Sequence, residues 1–391
     1  MPKIGVYMVH AADKTGEPRR LANLVKGLAD MGVSVCPIVS TKGVWNLEFE
    51  ESGAHCLKIP PGTIRENISL KKLKKNPLLL FRCTADLVRS NLFAYRIVRQ
   101  EHLSAVILRA PKGPLYMGIG ARAAGSKIIC DLDYVATYRM PVRLLTAYAI
   151  LLSRLVTAQY KKTRKDLGLL SRSILRKKSF ASILPGIDSE PLRSYREKRD
   201  TGYRSQKNHL TILTAATIFP RKNQLTLVHA VQQAAAACPQ YSLTLILCGR
   251  VKDRAYEKNI QDLIKKSPPN ARCLLLGWRN DIGEIMSDVD IFALPSQDEG
   301  VPNSVQEAMY IGLPVLAAPV GGIPEIIKDG VNGWLVHDNN AYGWKKAIVK
   351  SISHQELIKQ MSLKAQKDAD AFFSHREWAK RYWKTVCELI E

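Results

Sequence analysis

Short apolar runs alternate along the chain with longer segments whose apolar residues recur every three or four positions. The first run, Lys3–Val9, is followed by a polar, turn-like stretch, Ala11–Glu17. Leu21, Leu24, Val25 and Leu28 then recur at helical spacing, Gly32 ends that pattern, and Val33–Val39 reads as a second strand. Parallel neighbours need a crossover, so this β-loop-α-β opening predicts the first unit of a parallel sheet. Further buried strands are predicted at Ala105–Leu108, Lys127–Cys130 and Ser182–Leu184, with a helix at Gly118–Ala124.

Ser194–Asn208 is rich in Lys and Arg and poor in apolar residues, which predicts a linker. The alternation then restarts: strand Leu210–Ala216, helix Gln224–Ala237, strand Ser242–Cys248, helix Arg254–Lys265 and strand Ala271–Leu276. A short helix at Ile282–Met286, strand Ile291–Leu294, helix Ser304–Ile311, and strands Val315–Ala317 and Trp334–Val336 follow, before two C-terminal helices. The doubled series predicts an α/β protein of two Rossmann-like, doubly wound domains facing across a cleft. The expected boundaries are 1–193, a linker over 194–208, 209–372, and a final helix over 373–391 that crosses back to the first domain. Ligands in such folds bind beyond the carboxyl ends of the strands, so the residues just after each strand are the candidates for chemistry.

The densest candidate is Pro295-Ser-Gln-Asp-Glu299-Gly300-Val301-Pro302-Asn303-Ser304, after strand Ile291–Leu294, with Glu307 in the helix beyond. A carboxylate stands at a strand end, and a Gly-x-Pro turn at a helix start presents N–H groups suited to anions and hydroxyls. Glu307 lies three residues after Ser304, so it can also complete a capping box. Arg221-Lys222, beyond strand Leu210–Ala216, offers cations to an anionic ligand; a solvated helix start is the alternative.

The segment 288–336 resembles retaining glycosyltransferases of family four, which have the GT-B fold and carry two glutamates with seven residues between them, here Glu299 and Glu307. Thr214–Lys222 with Asn223, Leu247–Arg250, Leu184-Pro-Gly-Ile-Asp188 and Gly16-Glu17 resemble other pieces of that family. The resemblance implies that Glu307 binds the nucleotide ribose and that Glu299 lies by the donor sugar. It implies that backbone N–H groups of the turn Gly300–Asn303, which includes Val301 and Pro302, hold sugar and phosphate. Lys222, helped by Arg221, would neutralise the diphosphate, and Gly16 would let backbone approach it from the first domain. Gly277-Trp278-Arg279 falls where the family places its nucleobase, and Trp278 is a candidate to stack there. Many members have Gly-Arg where this chain has Ala216-Thr217, so Arg221 or Arg250 is the candidate second cation. Asp133 stands where a His is usual and is an acceptor-side candidate, with a helix cap as its alternative role.

The composition changes the picture on one point. Residues 1–190 hold 31 Lys and Arg against 14 Asp and Glu, whereas residues 191–391 hold 27 against 21. The first half therefore attracts a polyanion or an anionic surface. Leu70–Lys75 is basic, the helical pattern from Asn76 to Arg99 carries Leu80, Leu87, Val88 and Phe93 with Arg82, Arg89 and Arg96, and Leu144–Leu152 is an apolar run between arginines. These suit a helix on an anionic bilayer. The expectation is a cytoplasmic enzyme, peripheral on the inner face of the membrane, with a nucleotide-sugar donor (UDP on family prevalence) and a lipid-linked acceptor. A soluble acceptor is the alternative, and a basic nucleic-acid-binding protein a more distant one, since no nucleic-acid motif is present. No partner nucleic acid is expected. Eight cysteines without C-x-x-C spacing read as free thiols. Asp131-Leu-Asp133 and Asp288-Val-Asp290 match a short metal-holding signature of another glycosyltransferase fold, but the tripeptide recurs by chance; no metal, no cofactor and no membrane span are expected.

Overall fold

A computed structural model describes residues 2–8, 16–40, 49, 55–59, 77–132, 140–202 and 208–390. The chain divides into two compact units, residues 1–186 with 375–391, and residues 187–374.

In the first unit, strands β1 (Lys3–Met8), β2 (Val35–Ser40), β3 (Leu57–Ile59), β4 (Leu103–Arg109), β5 (Lys127–Leu132), β6 (Leu155–Ala158) and β7 (Ser179–Ser182) form one sheet in the order β3-β2-β1-β4-β5-β6-β7. Each neighbouring pair is parallel. Alternation along β1 sends Ile4, Val6 and Met8 to one face, where they pack with Leu21, Leu24, Val25 and Leu28 of the helix Gly16–Asp30 and with Trp378, Tyr382 and Val386 of the helix His375–Ile390. Gly27 makes that helix pair possible: a Cβ there would lie 2.6 Å from the His375 carbonyl oxygen and 2.7 Å from Ala379 Cβ. Tyr7, Val106, Leu108 and Ile128 point to the other face, beneath the helices Pro77–Gln100 and Ile119–Ala123.

In the second unit, β8 (His209–Ala215), β9 (Ser242–Cys248), β10 (Ala271–Gly277), β11 (Ile291–Leu294), β12 (Val315–Ala317) and β13 (Trp334–Leu335) run parallel in the order β10-β9-β8-β11-β12-β13. One face is covered by the helices Gln224–Ala237, Arg254–Ile264 and Ala341–Ser353, with Trp344 and Leu227 at its centre. Such strands are apolar on both faces because helices cover both; all four residues of β11 are buried.

Two expectations change. The polar stretch taken as a linker is mostly a helix, Arg193–Gly202, and it belongs to the second unit. Its Arg199 donates to the carbonyls of Gly312, Ser287 and Val289, and its Tyr195 ring lies against Gly283, which fastens a strongly polar helix to the unit. The chain accordingly changes unit at 186/187 and again at 374/375, not at 193 and 372. The basic cluster Leu70–Lys75 lies outside the described residues. The apolar face expected on the helix Pro77–Gln100 is also different: Leu87 and Phe93 are half-buried and Val88 is exposed.

Candidate active site

The strand order of the second sheet reverses between β8 and β11, and a crevice for ligands forms at such a switch point. Lys222 follows β8 and Glu299 follows β11. After β8 the chain makes a single 3-10 turn, Pro220–Lys222, then enters the left-handed region at Asn223 (φ 57) and starts the helix Gln224–Ala237. Asn tolerates that conformation better than most residues, and Thr226 Oγ1 donates to its Oδ1 at 2.7 Å. The turn ends with Lys222 Nζ hydrogen-bonded to Glu299 Oε1. Their side chains are only 16% and 9% exposed, so this ion pair sits largely out of water.

Neighbouring contacts hold the two loops in register. Gln297 N donates to the Arg221 carbonyl at 2.9 Å. Arg221 Nη1 lies 3.7 Å from Asp298 Oδ2. Burial, and then the charge of Glu299, push the Asp298 carboxyl up to about 7. Gly321, with φ 56, lies where a Cβ would overlap the Glu299 carbonyl oxygen, and Gly322 N donates to the Gly300 carbonyl at 2.8 Å. The loop after β12 thus braces the Glu299-Gly300 turn through a position only glycine fits.

Asn339 ties these parts from beneath. Its Nδ2 donates to the Pro295 and Ser296 carbonyls at 3.1 and 3.2 Å, and its Oδ1 accepts from Trp344 Nε1 at 2.8 Å and from Asn223 Nδ2 at 3.4 Å. One amide therefore links the residue after Lys222 to the segment that leads to Glu299, and anchors both on a fully buried tryptophan.

The helix Asn303–Ile311 begins after Pro302 with no side-chain cap, so the capping box between Ser304 and Glu307 does not form. Glu307 sits inside the helix and is buried. Val301 is buried, while Gly300, Pro302 and Asn303 are half-buried around the helix start, whose first N–H groups have no intrahelical acceptor. Asn303 Nδ2 and Ser296 Oγ are buried without a hydrogen-bond partner among the described residues.

Farther along the same strand ends, Arg250 follows β9 and Trp278 follows β10. The guanidinium of Arg250 lies 5.3 Å from the centre of the half-exposed Trp278 ring, a cation–π stack. Arg279 directs its Nε (2.8 Å) and Nη2 to the two oxygens of Asp281, so its fork serves its own loop; the same pairing holds Asp281 below the ordinary carboxylate range. Gly16 is the first residue of the helix Gly16–Asp30, in the first unit. Asp133 lies outside the described residues.

The described acids of the two Asp-x-Asp tripeptides, Asp131, Asp288 and Asp290, have structural partners. Asp290 accepts from Thr211 N at 2.7 Å and Asp288 pairs with Lys198 at 2.7 Å. Asp131 receives Arg20 Nη2 at 2.7 Å and Thr157 Oγ1 at 3.0 Å in the first unit's core. Among the described residues no group of three His, Cys, Asp or Glu is placed to hold a metal ion. All eight cysteines are free thiols, five of them buried.

Asp298 and Asn339 belong to the site without having stood out in the sequence. The Asp-Glu doublet at 298–299 was a signal for the first, since two adjacent carboxylates at a buried strand end repel. Nothing local marks Asn339, whose partners lie in three separate segments.

Residues 196–368 match the family model described as glycosyl transferases group 1. An Escherichia coli UDP-Gal:alpha-D-GlcNAc-diphosphoundecaprenol alpha-1,3-galactosyltransferase is 24% identical over 70% of this chain and 73% of its own length. Other curated relatives, such as an uncharacterized glycosyltransferase of Haemophilus influenzae at 30% identity, align over less than half of their own length. Among solved structures, Anabaena HepE in complex with UDP and glucose superposes with a TM-score of 0.74 at 18% identity, covering 99% of this chain and 100% of that one. A glycosyltransferase of Rickettsia africae superposes with a TM-score of 0.77 at 18% identity over 100% and 99% of the two chains. These likenesses establish a GT-B fold, and the stretch of it that matches the group 1 glycosyl transferase model, residues 196–368, contains both Lys222 and Glu299.

Proposed function

We propose that the protein is a retaining, metal-independent glycosyltransferase that moves a hexose-type sugar from a UDP-sugar to a lipid-linked saccharide in bacterial envelope polysaccharide or lipopolysaccharide synthesis. The observation that carries the reading is the buried contact between Lys222 and Glu299 at the strand-order switch of the second sheet. A cation there stabilises the charge that grows on a departing diphosphate, and does so most effectively where water is scarce. The neighbouring carboxylate accepts from hydroxyls of the donor sugar. Glu307 holds the two ribose hydroxyls, the turn Gly300–Asn303 presents N–H groups to sugar and phosphate, and Asn303 Nδ2 adds a donor. Trp278, with Arg250 stacked on it, offers a face to the base; Arg221 is the second cation.

The acceptor hydroxyl forms its bond to C1 on the face from which the diphosphate leaves. The C1–O bond to phosphate breaks with its electron pair on the phosphate oxygen, and that oxygen takes the hydroxyl proton. The E. coli relative's acceptor, a diphosphoundecaprenol-linked GlcNAc, and its α-linked product support both the lipid-linked acceptor and retention. A lipid-linked acceptor places the enzyme at the inner face of the cytoplasmic membrane.

A thermal-shift panel of nucleotide sugars, run with turnover assays, tests this. UDP-sugars should raise the melting temperature of the wild type and not of Glu307→Ala. Lys222→Ala should stay folded and lose roughly a hundredfold or more in kcat. Undiminished turnover in folded Lys222→Ala would overturn the proposal.

A further inference from the structure

We infer that the helical layer on one face of the first unit's sheet is a docking surface for an anionic lipid bilayer. The inference deepens the lipid-linked-acceptor reading and draws its purpose from it, but binding to a vesicle needs no sugar.

The helices Pro77–Gln100, Ile119–Ala123, Val142–Leu152 and Leu169–Leu175 pack side by side on the same sheet face. The longest turns Ala94, Ile97 and Val98 onto the strands. Its opposite side is apolar where water would normally select polar groups: Phe81 is 72% exposed, Val88 55% and Leu92 54%. At ~100° per residue these three fall within about 40° of one another. Arg82, Arg89 and Arg96, all exposed, run as a parallel row beside that stripe. The single acid of this helix, Asp86, is buried. The neighbours repeat the arrangement. Val142–Leu152 buries Ala149 and Ile150 but exposes Leu144 and Leu151, and Leu169 at the start of its helix is 79% exposed. Between residues 142 and 178 ten Lys and Arg face one acid, Asp166.

Exposed aliphatic residues beside arginines, on one flank of a folded unit, match the boundary between acyl chains and anionic headgroups. Apolar side chains enter the first while guanidinium groups remain with the phosphates. Other occupants fit less well. A second copy would bring two strongly cationic faces together. A nucleic acid would satisfy the arginines but offer nothing to Phe81, Val88 and Leu92.

Flotation of the full chain with vesicles of phosphatidylcholine alone, or mixed with phosphatidylglycerol, tests the surface. The wild type should float with the anionic vesicles only. Arg82→Gln/Arg89→Gln/Arg96→Gln should weaken partitioning roughly a hundredfold, and Phe81→Ser/Val88→Ser/Leu92→Ser should weaken it about as much. Lys258→Gln/Lys266→Gln/Lys359→Gln, on exposed positions of the second unit, should leave it unchanged. The UDP-sugar thermal shift should survive in all three variants, which separates failure of docking from failure of the donor site. The inference is overturned if the wild type does not bind anionic vesicles, if the serine variant floats like the wild type, if the second-unit variant loses as much, or if duplex DNA displaces the vesicles.

Discussion

Replacing Asn339 by alanine removes the one side chain that ties the residue after Lys222, the segment before Glu299 and Trp344 together. The cost can be worked from the bonds. Trp344 is fully buried, so its indole N–H, now hydrogen-bonded to Asn339 Oδ1 at 2.8 Å, would be left without an acceptor. Such an orphan costs about 1–3 kcal/mol, and the two backbone carbonyls that lose the Asn339 Nδ2 donor add roughly 1 kcal/mol together. A loss of about 3 kcal/mol in a unit of this size lowers the melting temperature by roughly 6–12 °C. Catalysis should suffer separately, because the register between the two loops loosens; a displacement of about an ångström between reacting groups costs on the order of a hundredfold in rate. The assay is differential scanning fluorimetry together with kcat on a nucleotide-sugar substrate. A double variant separates the two effects: with Trp344→Phe the orphaned donor disappears, so Asn339→Ala should cost less stability in that background, while the loss in kcat should remain. Melting within about 1 °C of wild type for Asn339→Ala, with unchanged kcat, would refute the account.

Two further outcomes follow from the geometry. Asp298 holds its proton up to about 7 in the folded chain against an ordinary value of 3.8, so between these pH values the folded form binds more protons than the unfolded form and stability falls as pH rises. The melting temperature of Asp298→Asn minus that of wild type should therefore grow over this window and level off above it; a constant difference would contradict the burial argument. Gly27→Ala places a methyl group against the His375 carbonyl and Ala379, and overpacking of this kind costs about 1–3 kcal/mol despite alanine's better helix propensity. Thermal denaturation should show the loss, and a variant as stable as wild type would show that the helix pair can spread without penalty.

Much of the second unit was legible in the sequence because its strands are covered on both faces. β11 is an unbroken apolar run and β9 is apolar apart from Ser242 and Thr244, and the expected limits of both agree with the fold. The doubly wound order follows from the alternation and the handedness of crossovers. What escaped was whatever depends on contacts between distant segments. β6 has four residues, lies directly after a helix and is flanked by Arg154 and Lys161, so it merged with a basic helical tail. The helix Arg193–Gly202 is held by guanidinium-to-carbonyl bonds that an apolar pattern does not register. In the site, the chemical types at 222, 299 and 307 were visible, but the contact across 77 residues between Lys222 and Glu299 comes from β8 and β11 lying next to each other. The capping role open to Glu307 was a local reading that Pro302 overrode by starting the helix itself.

The first unit is closed by the last helix of the chain, His375–Ile390, and this has a consequence for biosynthesis. The nascent N-terminal segment leaves the ribosome with the oily side of Gly16–Asp30 facing water, because Trp378, Tyr382 and Val386 have not yet been translated. At an elongation rate of about 5–20 residues per second, the whole intervening unit is made during a wait of roughly 10–40 s. Over that interval the half-built unit keeps apolar surface in water, the condition that favours aggregation, and it closes only once residues 375–390 have been made.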